Sequence, residues 1–327
     1  MSRSGSSTGS RAGWTPEEIA TAAQLACLLE VSAPKPGNVS PGRAFHDMAF
    51  EDFLASAAAI AMPMQRAGTR SLGATIREAV EATERWTRAN TNLGMVLLLA
   101  PLAQAAFRVM AGDADTGETR EYGRDGGEVA ALRSNVARVI DESTVADARD
   151  VYAAIRRAAP GGLGQAPEQD VANEPTLPLK EIMTMASHRD DVAREYATGF
   201  ETTFQLAVPA LTRARQAELD WNDAIVETFL TVLAARHDTH VRRRGGEALA
   251  ADISRRAADA LVAGGVRTEG GRRTIEQMDV ALRAPDNRTN PGTTADLTTA
   301  AIFVVLLTGG WPAPGQRERE ERDATTR

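Results

Sequence analysis

The sequence predicts an all-α fold: a single compact multi-helix domain whose polar loops, where an active site is expected, sit at helix ends. Three observations lead there. Alanine is abundant, and it has the best intrinsic helix propensity. Aromatic residues make up only 5% of the chain, and alternation of β-branched residues is scarce, whereas strands favour both. Apolar residues recur at three- and four-residue spacing, the period of one helix face.

Taken in order, Thr15-Pro16-Glu17-Glu18 opens the first helix with a capping threonine, a proline in the first turn and a glutamate placed to close a capping box. Ile19, Ala23, Ala26 and Leu29 or Glu30 follow on one face. A second helix is expected from about Phe50 to Met62. A third, from about Ala74 to Ala89, carries Ile76, Val80, Thr83 and Trp86 on one face. Met95 to Met110 is apolar on most sides and reads as a buried helix. Further helices are expected near Ala130–Ile140 and Val145–Ala158. Ala159-Pro160-Gly161-Gly162-Leu163-Gly164 then breaks the pattern, and the proline-bearing stretch to Pro178 reads as a loop. Helices resume near Asp190–Phe204, Asn222–Ala235, Glu247–Val262, Thr274–Leu282 and Ala295–Leu307, with Gly309-Gly310 ending the last. No fixed-period repeat and no linker interrupts this order.

The 327 residues, 43% of them apolar, suffice for a sizeable core. Residues 1–13 and 311–327 read as polar or charged tails flanking a helical catalytic domain over 14–310. The net charge of −7 argues against a nucleic-acid partner, which calls for clustered positive charge. No segment is expected to reach the length of a membrane span, the best apolar run being Ala300–Leu307. A cytoplasmic protein, with homo-oligomerisation open, is the expectation. Cys27 is the single cysteine and sits among leucines and alanines, so it reads as a buried structural thiol.

The common cofactor signatures are missing: no Walker loop, no dinucleotide-binding glycine fingerprint, no His-Glu-x-x-His, no Cys-x-x-Cys. Four polar, glycine-containing segments stand out instead, each beside an apolar helix. The first runs Lys35-Pro36-Gly37-Asn38-Val39-Ser40-Pro41-Gly42, with His46-Asp47 after it. Its glycines permit close backbone approach, and Lys35 is a point charge for a phosphate. The second, Asn90-Thr91-Asn92-Leu93-Gly94, sets three small polar side chains ahead of a helix, more than capping needs. The third follows the helix containing Phe229 and Leu233. Between Arg236 and Arg244 it packs two histidines (His237 and His240), Asp238 and four arginines, with Gly245-Gly246 next. The forks of Arg242 and Arg244 suit phosphate oxygens. Asp238 suits a Mg²⁺ ion or a proton, and the histidines suit hydrogen bonding or base work rather than zinc. A solvated basic run is the competing reading. The fourth, Asn290-Pro291-Gly292-Thr293-Thr294-Ala295-Asp296-Leu297, opens the last apolar helix. Thr293 or Thr294 can cap it, and Asp296 complements its dipole.

At these residues the sequence resembles the triphosphoribosyl-dephospho-CoA synthase family. The matching pieces are Lys35-Pro36-Gly37, His46-Asp47-Met48, Asn90-Thr91 with Gly94, Asp238-Thr239 with Arg244-Gly245-Gly246, and Asn290-Pro291-Gly292 with Ala295-Asp296-Leu297. The resemblance implies an all-helical transferase. It takes ATP, expels adenine from the ribose C1 carbon and joins that carbon to the 2′-hydroxyl of dephospho-CoA. It also implies Mg²⁺ on the triphosphate, with Asp238 and Asp296 as the expected ligands and Asp47 next. Asp47, Asp238, His237 and His240 are the candidate catalytic groups. Lys35, Gly37, Asn38, Ser40, Asn90, Thr91, Asn92, Arg242, Arg244, Gly245, Asn290, Gly292 and Thr293 are the candidate substrate-binding set.

One motif departs from the family. Typical members read Asn-Thr-His-Lys-Gly where this chain has Asn92 and Leu93, so an imidazole and a cation are both gone. Pro160-Gly161-Gly162-Leu163-Gly164 with Asp170-Val171 is similar to a divergent branch from archaea and methylotrophic bacteria. For that branch a ribitol-containing precursor of a methanopterin-type carrier is an alternative acceptor. Hydrolysis of an N-glycosidic bond and non-catalytic nucleotide binding stay open beside it.

Overall fold

The structure is a computed structural model and describes residues 14–112, 124–283, 286–309 and 311. The expected tails at 1–13 and beyond Trp311 lie outside the described residues. Helices account for nearly all of the regular structure: α1 (Pro16–Ser32), α2 (Phe50–Ala59), α3 (Ala61–Gln65), α4 (Leu72–Glu84), α5 (Leu93–Met110), α6 (Arg124–Asp141), α7 (Val145–Ala158), α8 (Leu179–Ala186), α9 (Asp191–Thr198), α10 (Val208–Gln216), α11 (Trp221–Ala235), α12 (Thr239–Gly245), α13 (Glu247–Val262), α14 (Glu269–Ala281) and α15 (Gly292–Gly309). Among the described residues there is no strand, only an isolated antiparallel bridge between Ser40 and Arg43. The predicted fold class holds.

The first helix starts as its sequence dictates. Thr15 Oγ1 accepts from the Glu18 amide at 3.1 Å and Glu18 Oε2 accepts from the Thr15 amide at 2.8 Å, closing the capping box. At the centre lies α15, buried along most of its length and packed by α1, α5, α10 and α11. One contiguous apolar core runs from Ile19 to Leu307 and takes in the buried thiol of Cys27. Contrary to the sequence expectation, Leu93–Met110 and Gly292–Gly309 are both long and apolar enough to cross a membrane. They are 67% and 72% buried inside the protein, as core helices are.

Three differences from the expected elements have local causes. The helix expected over Asp190–Phe204 breaks at Gly199, whose φ of +61° caps α9 in the left-handed region. The chain re-enters through a π-helical turn at Thr203–Ala207, and Glu195 takes the Thr202 and Thr203 amides at 2.9 Å each. Trp86 is 73% exposed because α4 stops at Glu84. The basic run after His237, expected as a loop, is the short helix α12. Asp238 caps it, and its arginines lie in the last turn, where positive charge complements the dipole. The helices α8 and α10 lie where no helix was expected.

Candidate active site

The site begins with how α12 and α15 are joined. Asp238 Oδ1 accepts from the Val241 amide at 2.9 Å. Its Oδ2 accepts from the Thr294 amide at 2.7 Å and the Thr294 hydroxyl at 2.8 Å. Thr239 Oγ1 donates to Thr293 Oγ1 at 3.1 Å, so the starts of both helices are stitched side by side. That seam brings His240, Arg243 and Arg244 against Asn290, Gly292, Thr293 and Asp296 on the wall of a cavity of about 320 Å³. The first two segments reach the same cavity through Asn38 and Asp47 and through Asn90, Thr91, Asn92 and Gly94. The four segments therefore converge. Residues of α7, α8 and the 159–178 connection, among them Tyr152, Ile155, Leu163, Asp170 and Ile182, form a largely apolar opposite wall.

Close approach of α5 to α15 explains Gly94. A Cβ there would stand 2.0 Å from Asp296 Oδ2. Asp296 accepts no hydrogen bond from any described residue, although its carboxylate faces the cavity. Burial, then the nearby carboxylates of Glu30, Asp238 and Asp190, hold its pKa well above the usual carboxylate range. Glu30 also lines the cavity and pairs with Lys35 at 3.0 Å. Burial pushes Glu30 up and Lys35 down from their ordinary values, and the ion pair pulls each back. The His240 ring makes no hydrogen bond with described residues. Its pKa is driven down to about 4 by burial and by Arg243 and Arg244, so it is neutral at physiological pH.

The structure separates the expected residues into two groups. Asn38, Asp47, Asn90, Thr91, Asn92, His240, Arg244, Asn290, Gly292, Thr293 and Asp296 line the cavity. Lys35 does not reach it. Its ammonium is fully buried on Glu30 and on the carbonyls of Glu30 and Ala33, which satisfies its charge inside the core. Gly37 lies behind the wall, its amide donating to Asp279 Oδ1 at 2.8 Å, and Ser40 is buried off the cavity, its backbone bridged to Arg43 and its hydroxyl without a hydrogen-bond partner among the described residues. Asp238 is also one layer back, its oxygens occupied by the three donors described above. His237 is exposed against Glu247, Arg242 reaches the His188 carbonyl at 3.2 Å, and Gly245 packs on Leu249.

Several cavity residues were missing from the sequence-based set. Arg243, paired with Asp190, and Arg189 bring positive charge. Asn287 donates to Asp47 Oδ1 at 2.6 Å and fixes that carboxylate. Glu30 had a visible signal, a carboxylate on the apolar face of α1. Asp170 had one in the branch motif that includes Asp170-Val171; Tyr152 had none, because its helix meets that loop only through tertiary packing. Asn92 and Leu93, the family departure, are both buried at the start of α5, with Asn92 donating to Thr83 Oγ1 at 3.0 Å.

The profile of the CitG family, described as ATP:dephospho-CoA triphosphoribosyl transferase, matches residues 16–314. The chain belongs to this family. A 2-(5''-triphosphoribosyl)-3'-dephosphocoenzyme-A synthase of Klebsiella pneumoniae is 33% identical over 116 residues, 36% of this chain and 38% of that protein. A "Probable 2-(5''-triphosphoribosyl)-3'-dephosphocoenzyme-A synthase" of Pseudomonas savastanoi pv. phaseolicola is 30% identical over 151 residues, 42% of this chain and 51% of that protein. The chain thus spans 51% and 38% of the length of these two curated relatives, Pseudomonas and Klebsiella respectively. A crystal structure of a protein from Archaeoglobus fulgidus, described as a "putative triphosphoribosyl-dephospho-coA synthase", has the same fold. The TM-score is 0.57 at 24% identity, over 79% of this chain and all of that one.

Proposed function

We propose that this protein is a transferase that moves a triphosphoribosyl group from ATP, through ribose C1, to a hydroxyl acceptor. The observation that carries the reading is the convergence of all four family segments on one cavity, with unpartnered carboxylate on one wall and arginines beside it. The balance is simple. The C1–N9 bond of ATP breaks, a C1–O bond to the acceptor forms, and the hydroxyl proton ends on the departing adenine.

The residues divide this work. Arg243 and Arg244, with Arg189 at the rim, meet the phosphates as fixed positive charge. Asp47, oriented by Asn287, is placed to take the acceptor proton. The carboxylate of Glu30 favours positive charge developing at C1.

Mg²⁺ belongs to this proposal. Among the described residues no group of three or more His, Cys, Asp or Glu side chains is arranged to hold a metal alone. Mg²⁺ does not need one, because it is commonly held by one or two carboxylates and the substrate's phosphates. Asp296, unpartnered and crowded by like charge, fits that role; Asp238, with its oxygens filled, does not. The ion would neutralise phosphate charge, while the protein's own groups position C1 and the acceptor.

The absence of the family's His-Lys pair at Asn92-Leu93 and the apolar opposite wall favour an acceptor less charged than dephospho-CoA, such as a ribitol-bearing precursor of a methanopterin-type carrier. The test is incubation with ATP, Mg²⁺ and each acceptor, followed by mass spectrometry. A product heavier by one triphosphoribosyl group is expected. ATP consumed with adenine still attached to its ribose would refute the reading.

A further inference from the structure

Two side chains on the seam between α12 and α15 have buried polar atoms without partners. Asn290 Oδ1 and His240 Nε2 are closed to water and make no hydrogen bond, yet both residues line the cavity. The turn that carries Asn290 packs on the imidazole: a Cβ on Gly292, two residues on, would lie 3.3 Å from His240 Nδ1. Buried polar atoms are nearly always satisfied, and an orphan is costly. Each group ends on a broad sp³–sp² torsion, so side-chain rotation alone, without backbone movement, is enough for either to meet a ligand.

The chemistry of the missing partner is narrow. Asn290 Oδ1 is an acceptor and needs a donor, which the ionised oxygens of a Mg²⁺-bound triphosphate lack. A cationic donor is disfavoured because Arg243 and Arg244 project positive charge onto His240. The partner is therefore a neutral donor. A hydroxyl both donates and accepts, so adjacent hydroxyls satisfy the amide oxygen and the imidazole together, whichever tautomer the ring holds.

We infer that Asn290 and His240 form a subsite that reads the 2′- and 3′-hydroxyls of the donor's ribose. They share the cavity with the arginine cluster, Asp296 and Glu30, so a nucleotide held there can set its sugar between the phosphate-binding groups and Glu30. The inference rests on the donor reading above and adds to it a selectivity: a ribonucleotide is accepted and a deoxyribonucleotide is not. The discrimination is strong for a physical reason. A deoxy analogue leaves the buried amide and imidazole unpaired, as they are without substrate.

Binding without an acceptor tests this by calorimetry, with Mg²⁺ and ATP, 2′-deoxy-ATP, 3′-deoxy-ATP and inosine triphosphate as the probes. Wild type is expected to bind ATP roughly ten- to a hundredfold more tightly than at least one deoxy analogue. Inosine triphosphate is expected to bind about as well as ATP. In Asn290→Ala and His240→Gln the ratio for that analogue should collapse toward unity. Wild-type binding of both deoxy analogues as tight as ATP would overturn the subsite while leaving the donor reading intact. So would selective loss of inosine triphosphate, which would make the adenine amine the group that is read. Variants that weaken ATP and its analogues equally would also count against it. Absence of binding by every nucleotide would overturn the donor reading and the subsite together. The wild-type comparison stands even if either variant fails to fold.

Discussion

Replacing Asp238 with alanine removes three hydrogen bonds from one buried carboxylate. The α12 cap is lost, at about 1 kcal/mol. The Thr294 amide is orphaned inside the protein, at about 1–3 kcal/mol, and the Thr294 hydroxyl loses its acceptor, at about 1 kcal/mol. Together these destabilise the fold by about 3–5 kcal/mol, which for a domain of this size lowers Tm by on the order of 10 °C. Asp238→Asn keeps an oxygen for the cap but not a second acceptor for Thr294, so its loss is smaller, about 1–3 kcal/mol. Thermal unfolding followed by circular dichroism measures both. The order wild type, Asn, Ala is expected, with the melting temperature falling at each step. If Asp238→Ala melted with the wild type while losing activity or Mg²⁺ affinity, Asp238 would be a reacting group and not a seam, and the division of roles between Asp238 and Asp296 would be wrong.

Asp296→Asn should abolish Mg²⁺-dependent turnover and yet stabilise the metal-free protein. A carboxyl whose folded pKa is raised contributes stability that is present below its unfolded pKa of about 4 and lost as pH rises. The Tm advantage of the variant in EDTA should therefore grow from about pH 4 upward, and a constant or shrinking advantage would contradict the assignment. Gly94→Ala should cut turnover far more than it lowers Tm, because the added methyl meets the movable Asp296 carboxylate first; unchanged turnover would refute that contact. Cys27 should resist a thiol reagent until the protein unfolds, since burial raises its pKa; rapid labelling of the native state would show the helix packing to be wrong.

Much of this was legible in the sequence where local chemistry decides. The Thr15 capping box, the break at Pro160–Gly164 and the polar starts of α5 and α15 follow from residues within a few positions of each other. The direction in which a side chain points was less legible. Lys35 and Asp238 carry the charges a phosphate or a metal would want, and both are turned inward, toward Glu30 and Thr294. Their neighbours Asn38 and His240 face the cavity instead. Only the packing of distant helices sets that choice. The break at Gly199 was missed because Glu195, four residues earlier, supplies the capping acceptors, a role invisible until the chain turns back on it.

The most direct test of the account is a time course of the products formed from ATP. Adenine, ADP and AMP are followed by chromatography with Mg²⁺ and an acceptor, for wild type, Asp296→Asn and Arg243→Gln. The account predicts that wild type releases adenine in step with acceptor modification, that ADP and AMP do not accumulate, and that both variants lose adenine release. ATP cleaved at a phosphate while adenine stays on its ribose, or adenine release that survives both substitutions, would contradict it.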